Sequence, residues 1–349
     1  MLAPRENPDL LGHESIEREL RRLAELGRMP HALLLTGPRG VGKATLAFRL
    51  ARFLLAQPSE RAENGLAVAP GSGAFRRVAS GGHADLLTVE RAYDPRRRRM
   101  RSEIIVEDVR EIAGFLRLTA AEDGWRVVVI DGAEEMNRNA ANALLKILEE
   151  PPRRALLLLV SHSPGLLLPT IRSRCRRRML AALPQPLVLE LLGRYRPELA
   201  GLEAEALARL AEGSIGRAIA LADAGGLALY RSILDMLAQI PRLDVAGLHA
   251  FADKLARPDA DDAYRASEEL LPQFLARMIV EFARGALDGD DLLPEEREVM
   301  RRLAARADPP RWAALRDEIE RNFVSTDELN LDRKQAILGA FFAVEELAR

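Results

Sequence analysis

The segment ALLLTGPRGVGK, residues 32–43, decides the fold of this chain. Its apolar beginning, residues 32–36, predicts a buried strand, and a helical pattern starts at Lys43. Between the two, glycines allow backbone N–H groups to converge on phosphate oxygens, while the helix N-terminus adds partial positive charge. The lysine that ends such a loop reaches the outer phosphates. The segment therefore predicts a P-loop with the nucleotide-binding residues Gly37, Gly40, Gly42 and Lys43.

The residue after Lys43 departs from the P-loop motif. The motif has Ser or Thr there, whose hydroxyl is a ligand of Mg²⁺, but this chain has Ala44 and places Thr45 one position later. One residue turns a helical side chain by about 100°, so we expect Thr45 to point away from the metal position. We predict a degenerate nucleotide site that includes Thr45, needs no cofactor, at most holds ATP or ADP weakly, and binds no metal.

Short apolar runs and helical patterns alternate through the first half of the chain. Further strands are predicted at 85–89, 126–131, 155–160 and, more briefly, 178–180, and helices at about 106–117 and 139–149. Such alternation is typical of a parallel sheet covered by helices on both faces. The predicted fold class is therefore α/β.

Asp131 ends the clearest of these strands, RVVVID. An acid in this position can orient Mg²⁺ and its waters, although it can also be a simple strand-terminating residue. In ATPases that hydrolyse, a glutamate usually follows and positions the attacking water, whereas here the next residue is Gly132. Glu134 and Glu135 come after the strand ends, and we expect neither to face a γ-phosphate.

Strands disappear after about residue 183, and breaks at Leu183-Pro184-Gln185-Pro186 and Gly225-Gly226 separate two helical regions. The pattern predicts domains at 1–182, 183–226 and 227–349: the α/β domain, a small helical lid and an all-helical region.

Two stretches of the first domain carry weaker patterns. Residues 1–30 predict mainly helix before the first strand. The Gly-, Ala-, Ser- and Pro-rich stretch 57–82 predicts either a long loop or a partly disordered insertion.

The composition excludes several classes of protein. Among 349 residues, 51 are Lys or Arg and 52 are Asp or Glu, so no global positive field attracts nucleic acid. The single cysteine, Cys175, excludes an intrachain disulfide and a multi-cysteine zinc site. The apolar run 155–160 is too short to span a bilayer, and the N-terminus does not resemble a secretory signal. We therefore expect a cytoplasmic protein.

Three groups of arginines are candidates for phosphate chemistry. Arg174 lies in Ile171-Arg172-Ser173-Arg174-Cys175, which residue chemistry alone leaves open between an arginine finger and a solvated basic loop. Arg217, in Gly213-Ser214-Ile215-Gly216-Arg217, is either a lid arginine that senses nucleotide or an exposed residue near a helix cap. The run Arg96–Arg99 could contact DNA phosphates, but we expect a solvated loop.

Several motifs together resemble the delta-prime family of clamp-loader subunits of bacterial DNA polymerase III. They are Gly12-His13-Glu14, the segment from Met29 to Pro38, Asn142 to Pro152 with its Leu-Glu-Glu-Pro-Pro ending, Ser173-Arg174-Cys175, and Leu329 to Gln335. The resemblance covers essentially the whole chain, and the Leu-Glu-Glu-Pro-Pro and Ser-Arg-Cys motifs are its most specific parts.

The resemblance implies an AAA+ P-loop NTPase sheet with a small helical lid and an all-helical collar. Five such subunits form a spiral around primer–template DNA and load the sliding clamp. The family implies the delta and gamma/tau subunits as partners and Arg174 as an arginine finger in trans. Many relatives carry a four-cysteine zinc module after the P-loop helix; with only Cys175, this chain should lack zinc there, and 57–82 should replace the module.

The preferred hypothesis is a non-hydrolysing stator of the clamp loader within the DNA-directed DNA polymerase III holoenzyme. Loss of both the Mg²⁺ hydroxyl and the positioned glutamate should slow hydrolysis by orders of magnitude, so we predict no intrinsic catalysis. Two alternatives are an active gamma/tau-like ATPase, which Ala44 and Gly132 disfavour, and a small-molecule kinase, for which the long helical region has no role.

Overall fold

The structure of the chain is a computed structural model that describes residues 3–94, 99–118, 124–285 and 294–349. Contacts between Cα atoms divide the chain into two units, Met1–Ala218 and Ile219–Arg349. The three-domain division expected from the sequence stays a prediction. No helix in the described ranges has the length and apolar character needed to cross a membrane.

The first unit is built on a five-stranded parallel sheet with the strand order β2-β5-β6-β1-β7. In chain order its strands are β1 (Ala32–Thr36), β2 (Leu86–Val89), β5 (Arg126–Asp131), β6 (Ala155–Ser161) and β7 (Arg176–Met179). A separate antiparallel pair consists of β3 (Tyr93–Asp94) and β4 (Arg99–Met100). The predicted α/β class and the predicted strands are confirmed, with the last strand beginning two residues earlier than expected.

Helices precede, connect and follow these strands. They are α1 (Glu14–Glu25), α2 (Lys43–Leu55), α3 (Gly73–Ala79), α4 (Val106–Arg117), α5 (Arg138–Glu149), α6 (Pro169–Arg174), α7 (Gln185–Tyr195), α8 (Gly201–Leu210) and α9 (Ile215–Asp223). Helix α2 packs on one face of the sheet, and α4 and α5 pack on the other. Alternate residues of β1 enter opposite cores: Leu33 and Leu35 pack with α2, whereas Leu34 lies in the core with α4 and α5. Burial on both faces explains why β1 and β6 are apolar up to their last residues.

The N-terminal segment differs from the prediction of helix over residues 1–30. Helix α1 covers only Glu14–Glu25, and the chain before it is irregular. The guanidinium of Arg52 donates to the carbonyls of Arg5 (3.1 Å) and Asn7 (2.7 Å), and Arg49 donates to the carbonyl of Pro8. Three backbone carbonyls of this segment are therefore satisfied by side chains of α2, next to a short turn in which the N–H groups of Glu6 and Asn7 donate to the carbonyl of Ala3.

The stretch 57–82, for which the sequence predicts a long loop or a partly disordered insertion, is only partly a loop. The stretch contains a 3₁₀ turn at Pro58–Glu60, a β-bridge between Arg61 and Val68, and α3. Its few apolar residues enter the core beside α2, and Phe75 lies under the guanidinium of Arg52 at 4.5 Å. Cation–π stacking and apolar burial stabilise the stretch 57–82.

The three arginines that follow Ser-Arg-Cys form the edge strand β7 instead of a loop. Arg176 and Arg178 both pair with Glu19 of α1, and Arg177 Nε donates to Thr36 Oγ1 at 3.1 Å. The other basic run, Arg96–Arg99, has its first three residues outside the described residues, so its expected role stays a prediction.

The second unit is helical in its described part, as the sequence predicts. Its helices are α10 (Gly226–Gln239), α11 (Val245–Leu255), α12 (Asp261–Arg284), α13 (Pro294–Ala304), α14 (Pro309–Leu329) and α15 (Arg333–Ala348). A buried polar group joins three of them: Tyr230 donates to Glu296 Oε1 at 2.5 Å, and Arg277 contacts both residues.

Candidate functional site

The P-loop opens onto a cleft of about 300 Å³ in the first unit. Its lining includes Gly40, Gly42, Lys43, Thr45 and Asp131, so five of the predicted nucleotide-site residues lie together. Residues of the N-terminal segment and of α7 and α9 form an apolar part of the wall. A smaller cleft of about 170 Å³ shares Asp131 with it and continues beyond the end of β5.

Lys43 is buried and bound to its own loop. Its side chain is 3% exposed, and Nζ donates to the carbonyl of Gly37 at 2.8 Å and to that of Pro38 at 2.5 Å. Burial lowers the pKa of Lys43 to about 8, although the carboxylates of Glu134 and Asp131 act in the opposite direction. A phosphate must therefore compete with two carbonyls for this ammonium.

The N-terminal end of α9 lies directly on the P-loop. The N–H of Gly216 donates to the carbonyl of Gly40 at 3.0 Å. A Cβ added at Gly216 would come within 2.8 Å of Gly40 Cα, so only glycine allows this approach. Gly40 itself has a φ of 74°, in the left-handed region.

The predicted lid arginine, Arg217, is one residue away but is absent from the lining of either cleft among the described residues. Its Nη1 lies 3.7 Å from Glu212 Oε2, while its backbone N–H donates to the capping Ser214 Oγ at 3.1 Å. The structure thus places the helix cap at the cleft and turns the guanidinium toward Glu212.

The position where a magnesium-binding hydroxyl is required holds the methyl group of Ala44. Thr45, the next residue, is 8% exposed, and both residues line the cleft. Within the described ranges, no group of three or more His, Cys, Asp or Glu side chains is arranged to hold a metal ion.

The end of β5 carries the acidic group of the site. Burial raises the pKa of Asp131, and the neighbouring charges of Glu90 and Glu135 raise it further. Gly132 follows with φ 74° and ψ 50°, and a Cβ at this position would lie 2.6 Å from Glu135 Oε2. Glu135 lines the smaller cleft, and its Oε2 forms an ion pair with Arg91 Nε at 2.8 Å.

Glu134 joins the end of β5 to the end of β6. Its Oε1 accepts hydrogen bonds from the N–H groups of His162 (2.7 Å) and Ser163 (3.1 Å). Burial raises the pKa of Glu134, but backbone hydrogen bonds outweigh it and leave the pKa below its ordinary value. His162 lines both clefts, and burial together with the charge of Lys43 lowers its pKa to about 4, so the imidazole is neutral at pH 7.

Arg174 lies at the C-terminal end of α6 and is absent from the lining of either cleft in the described part of the chain. Its side chain is 35% exposed. Nη1 donates to the carbonyl of Thr170 at 3.0 Å, and Nη2 lies 2.8 Å from Glu149 Oε1. The adjacent Cys175 is buried in the core beside α5, where burial raises its pKa to about 12.

From the sequence, Ser161 and His162 are either a polar nucleotide sensor or a strand-end polar pair, and the second interpretation is favoured; the structure places His162, together with Glu135, in the lining of the clefts. The only available signal was their position directly after buried strands, since polar groups at the carboxyl ends of parallel strands meet at one edge of the sheet. No sequence pattern near Arg91 or in the N-terminal segment indicates that these residues line the clefts.

Comparisons with known proteins match the region that contains this site. The family model described as "DNA polymerase III, delta subunit" matches residues 12–184. The DNA polymerase III subunit delta' of Pseudomonas aeruginosa is 41% identical over 187 residues, 53% of this chain and 53% of that protein. The DNA polymerase III subunit tau of Escherichia coli is 33% identical over 226 residues, 63% of this chain and 33% of that protein.

The chain thus aligns with about half of the length of the delta' relative and with a third of the tau relative. Among solved structures, a DNA polymerase III gamma subunit-related protein from Thermotoga maritima has a TM-score of 0.43 and 21% identity. That match covers 95% of this chain and 99% of the other. The family model and the curated relatives agree, and residues 12–184 of this chain match the DNA polymerase III delta-prime family.

Proposed function

We propose that this chain is a largely non-hydrolysing subunit of the DNA polymerase III clamp loader, in the position of a delta-prime stator. It helps to assemble the loader that places the sliding clamp on primed DNA. The similarity to delta' and tau subunits supports membership of this complex.

The observation that carries the proposal is the backbone at Gly132. A hydrolysing site needs a carboxylate directly after the strand-end acid, aimed at the attacking water. Here that position is left-handed, a conformation that costs a non-glycine residue about 1–2 kcal/mol. The volume of its Cβ is also occupied by the carboxylate of Glu135. With Ala44 at the metal position, the cleft is suited to hold a nucleotide weakly but not to cleave it.

Arg174 supplies the proposed catalytic contribution, in trans. Its guanidinium is permanently charged, partly exposed and outside the cleft of its own chain, as an arginine finger for a neighbouring site requires. The charge that develops on a neighbour's γ-phosphate would be stabilised by this planar cation.

The proposed partners are the delta and gamma/tau subunits, bound through the AAA+ unit and the helical collar. Primer–template DNA and the sliding clamp are reached through the complex, in the cytoplasm. ATP or ADP is not required in this chain, because its proposed contribution is architectural and is made through Arg174 in trans.

A turnover assay on the purified chain, alone and then mixed with the other loader subunits, tests the proposal. We expect no ATP hydrolysis by the chain alone, and lower turnover of the assembled complex when it contains Arg174→Ala. ATP hydrolysis by the isolated chain would overturn the non-hydrolysing role, and unchanged turnover with Arg174→Ala would remove the finger.

One observation favours the second candidate, an active gamma/tau-like ATPase. Glu135 lines the cleft beside Asp131 and could replace the missing glutamate. Its pairing with Arg91 at 2.8 Å disfavours this role, since a general base must accept a proton from water. Glu135→Gln decides between the two: it would abolish turnover in an active ATPase and leave a non-hydrolysing subunit unchanged.

A further inference from the structure

We propose that Glu149 is the positioning residue for Arg174, so that the Leu-Glu-Glu-Pro-Pro and Ser-Arg-Cys motifs form one device. This inference rests on the proposed function of Arg174 as a finger in trans. It gives a role to a motif that the nucleotide cleft does not explain.

The contact that suggests it is a two-point grip on the guanidinium. Glu149 Oε1 lies 2.8 Å from Arg174 Nη2, and the carbonyl of Thr170 accepts from Nη1 at 3.0 Å. Each acceptor takes a different terminal nitrogen. A planar fork held at two nitrogens has its direction fixed, which a single contact does not achieve.

The local sequence places Glu149 where this grip is possible. Glu149 is the last residue of α5, and Pro151 prevents the helix from continuing past Glu150. At the other end, Asn137 caps α5 by accepting from the N–H of Ala140 at 2.9 Å. Helix α5 is thus a rigid element with defined ends that delivers a carboxylate to the C-terminal turn of α6.

Folding stability does not explain this pair. Glu149 is 50% exposed and Arg174 is 35% exposed, and ion pairs at such exposure contribute little to stability. A free arginine side chain populates many rotamers, and only a few aim the guanidinium at a neighbouring molecule. Restricting those rotamers before assembly lowers the entropy lost when the finger reaches the neighbour's γ-phosphate.

The experiment compares four variants in the assembled clamp loader: Glu149→Gln, Arg174→Ala, the double variant, and the control Glu150→Gln. Glu150 is the matched control because it is the next residue, has the same chemistry and is exposed. Single-turnover ATP hydrolysis by the neighbouring subunit is measured as a function of ATP concentration. Thermal unfolding of each isolated chain is measured in parallel.

We expect Glu149→Gln to lower the rate constant of hydrolysis at that site roughly 10- to 100-fold, as for a misplaced catalytic group. The ATP concentration for half-saturation and the unfolding temperature should not change. The double variant should be no slower than Arg174→Ala, because Glu149 acts through Arg174. Glu150→Gln should behave like the unchanged chain.

Three results would overturn the inference while leaving the finger intact: an unchanged rate with Glu149→Gln, a faster rate, or effects that multiply in the double variant. A faster rate would identify Glu149 as a restraint that must release the finger. If Arg174→Ala itself leaves turnover unchanged, the proposed finger fails first, and the inference fails with it.

Discussion

The approach of α9 to the P-loop predicts opposite effects for two similar substitutions. In Gly216→Ala the new Cβ would lie 2.8 Å from Gly40 Cα and 3.4 Å from its carbonyl oxygen. Carbon atoms pack at about 3.5–4.0 Å, so α9 or the P-loop must retreat by roughly 1 Å. Overpacking of this kind costs about 1–3 kcal/mol, whereas replacing glycine by alanine in a helix gains at most about 1 kcal/mol. We therefore expect Gly216→Ala to destabilise the first unit.

Gly193→Ala is the matched control. Gly193 lies in α7, is exposed, and has no atom within 4 Å of the position its Cβ would take. This substitution should stabilise the same unit by up to about 1 kcal/mol. In calorimetric unfolding of the full chain, 1 kcal/mol corresponds to roughly 2–4 °C for a unit of 150–250 residues. If both variants raise the unfolding temperature equally, the close contact between Gly216 and Gly40 does not exist.

Three further predictions concern other parts of the chain. Gly132→Glu should not restore ATP hydrolysis in a turnover assay, and should destabilise the chain by about 1–2 kcal/mol, because a left-handed backbone must accept a side chain where Glu135 already lies; turnover in this variant would contradict the argument. Lys43→Ala should leave clamp loading by the assembled complex nearly unchanged, and a severe loading defect would show that nucleotide in this subunit is required. Burial, helped by Asp327, raises the pKa of Glu268 from 4.5 to about 7, so the folded state binds this proton more tightly than the unfolded state. The stability that this proton contributes is complete below pH 4.5 and is lost as pH rises through 7; thermal unfolding from pH 4 to 8 should show the loss, and Glu268→Gln should reduce it.

The strands were predictable because each carries its signal within a few residues. β1 and β6 are apolar at every position up to their last residue, and burial on both faces of a parallel sheet requires this pattern. The P-loop was equally local, since glycines and a lysine between a strand and a helix determine its backbone. Asp131 followed from the same logic, as a polar residue directly after an apolar run.

The stretch 57–82 was not predictable from its composition. Its order depends on apolar residues that are rare in this Gly-rich segment. Two of them, Phe75 and Val78, are buried beside α2. Arg52, about twenty residues earlier in the chain, stacks on Phe75. Composition averages over a window and cannot register one aromatic residue that meets one distant cation. The irregular N-terminal segment has a similar origin, because three of its carbonyls accept hydrogen bonds from the guanidinium groups of Arg49 and Arg52 in α2.

The candidate site also combines features with a local sequence signal and contacts between residues that are distant in the sequence. Gly40, Gly42, Lys43 and Asp131 were found by motif and lie together. The contacts that decide what the cleft does are non-local: Gly216 on Gly40, and Arg91 on Glu135. The Glu149–Arg174 pair joins residues of two motifs that no helical or strand periodicity relates.

These contacts give a physical account of why loss of hydrolysis and a rigid role would occur together. Restoring a hydroxyl at Ala44 would return one magnesium ligand, but Lys43 would remain bound to the carbonyls of Gly37 and Pro38. In an enzyme that cycles, the lid must separate from the P-loop as nucleotide enters and leaves. Here a glycine-to-glycine contact and a backbone hydrogen bond hold α9 against Gly40. Separating α9 from the P-loop would break both contacts, so they oppose the lid movement that turnover requires.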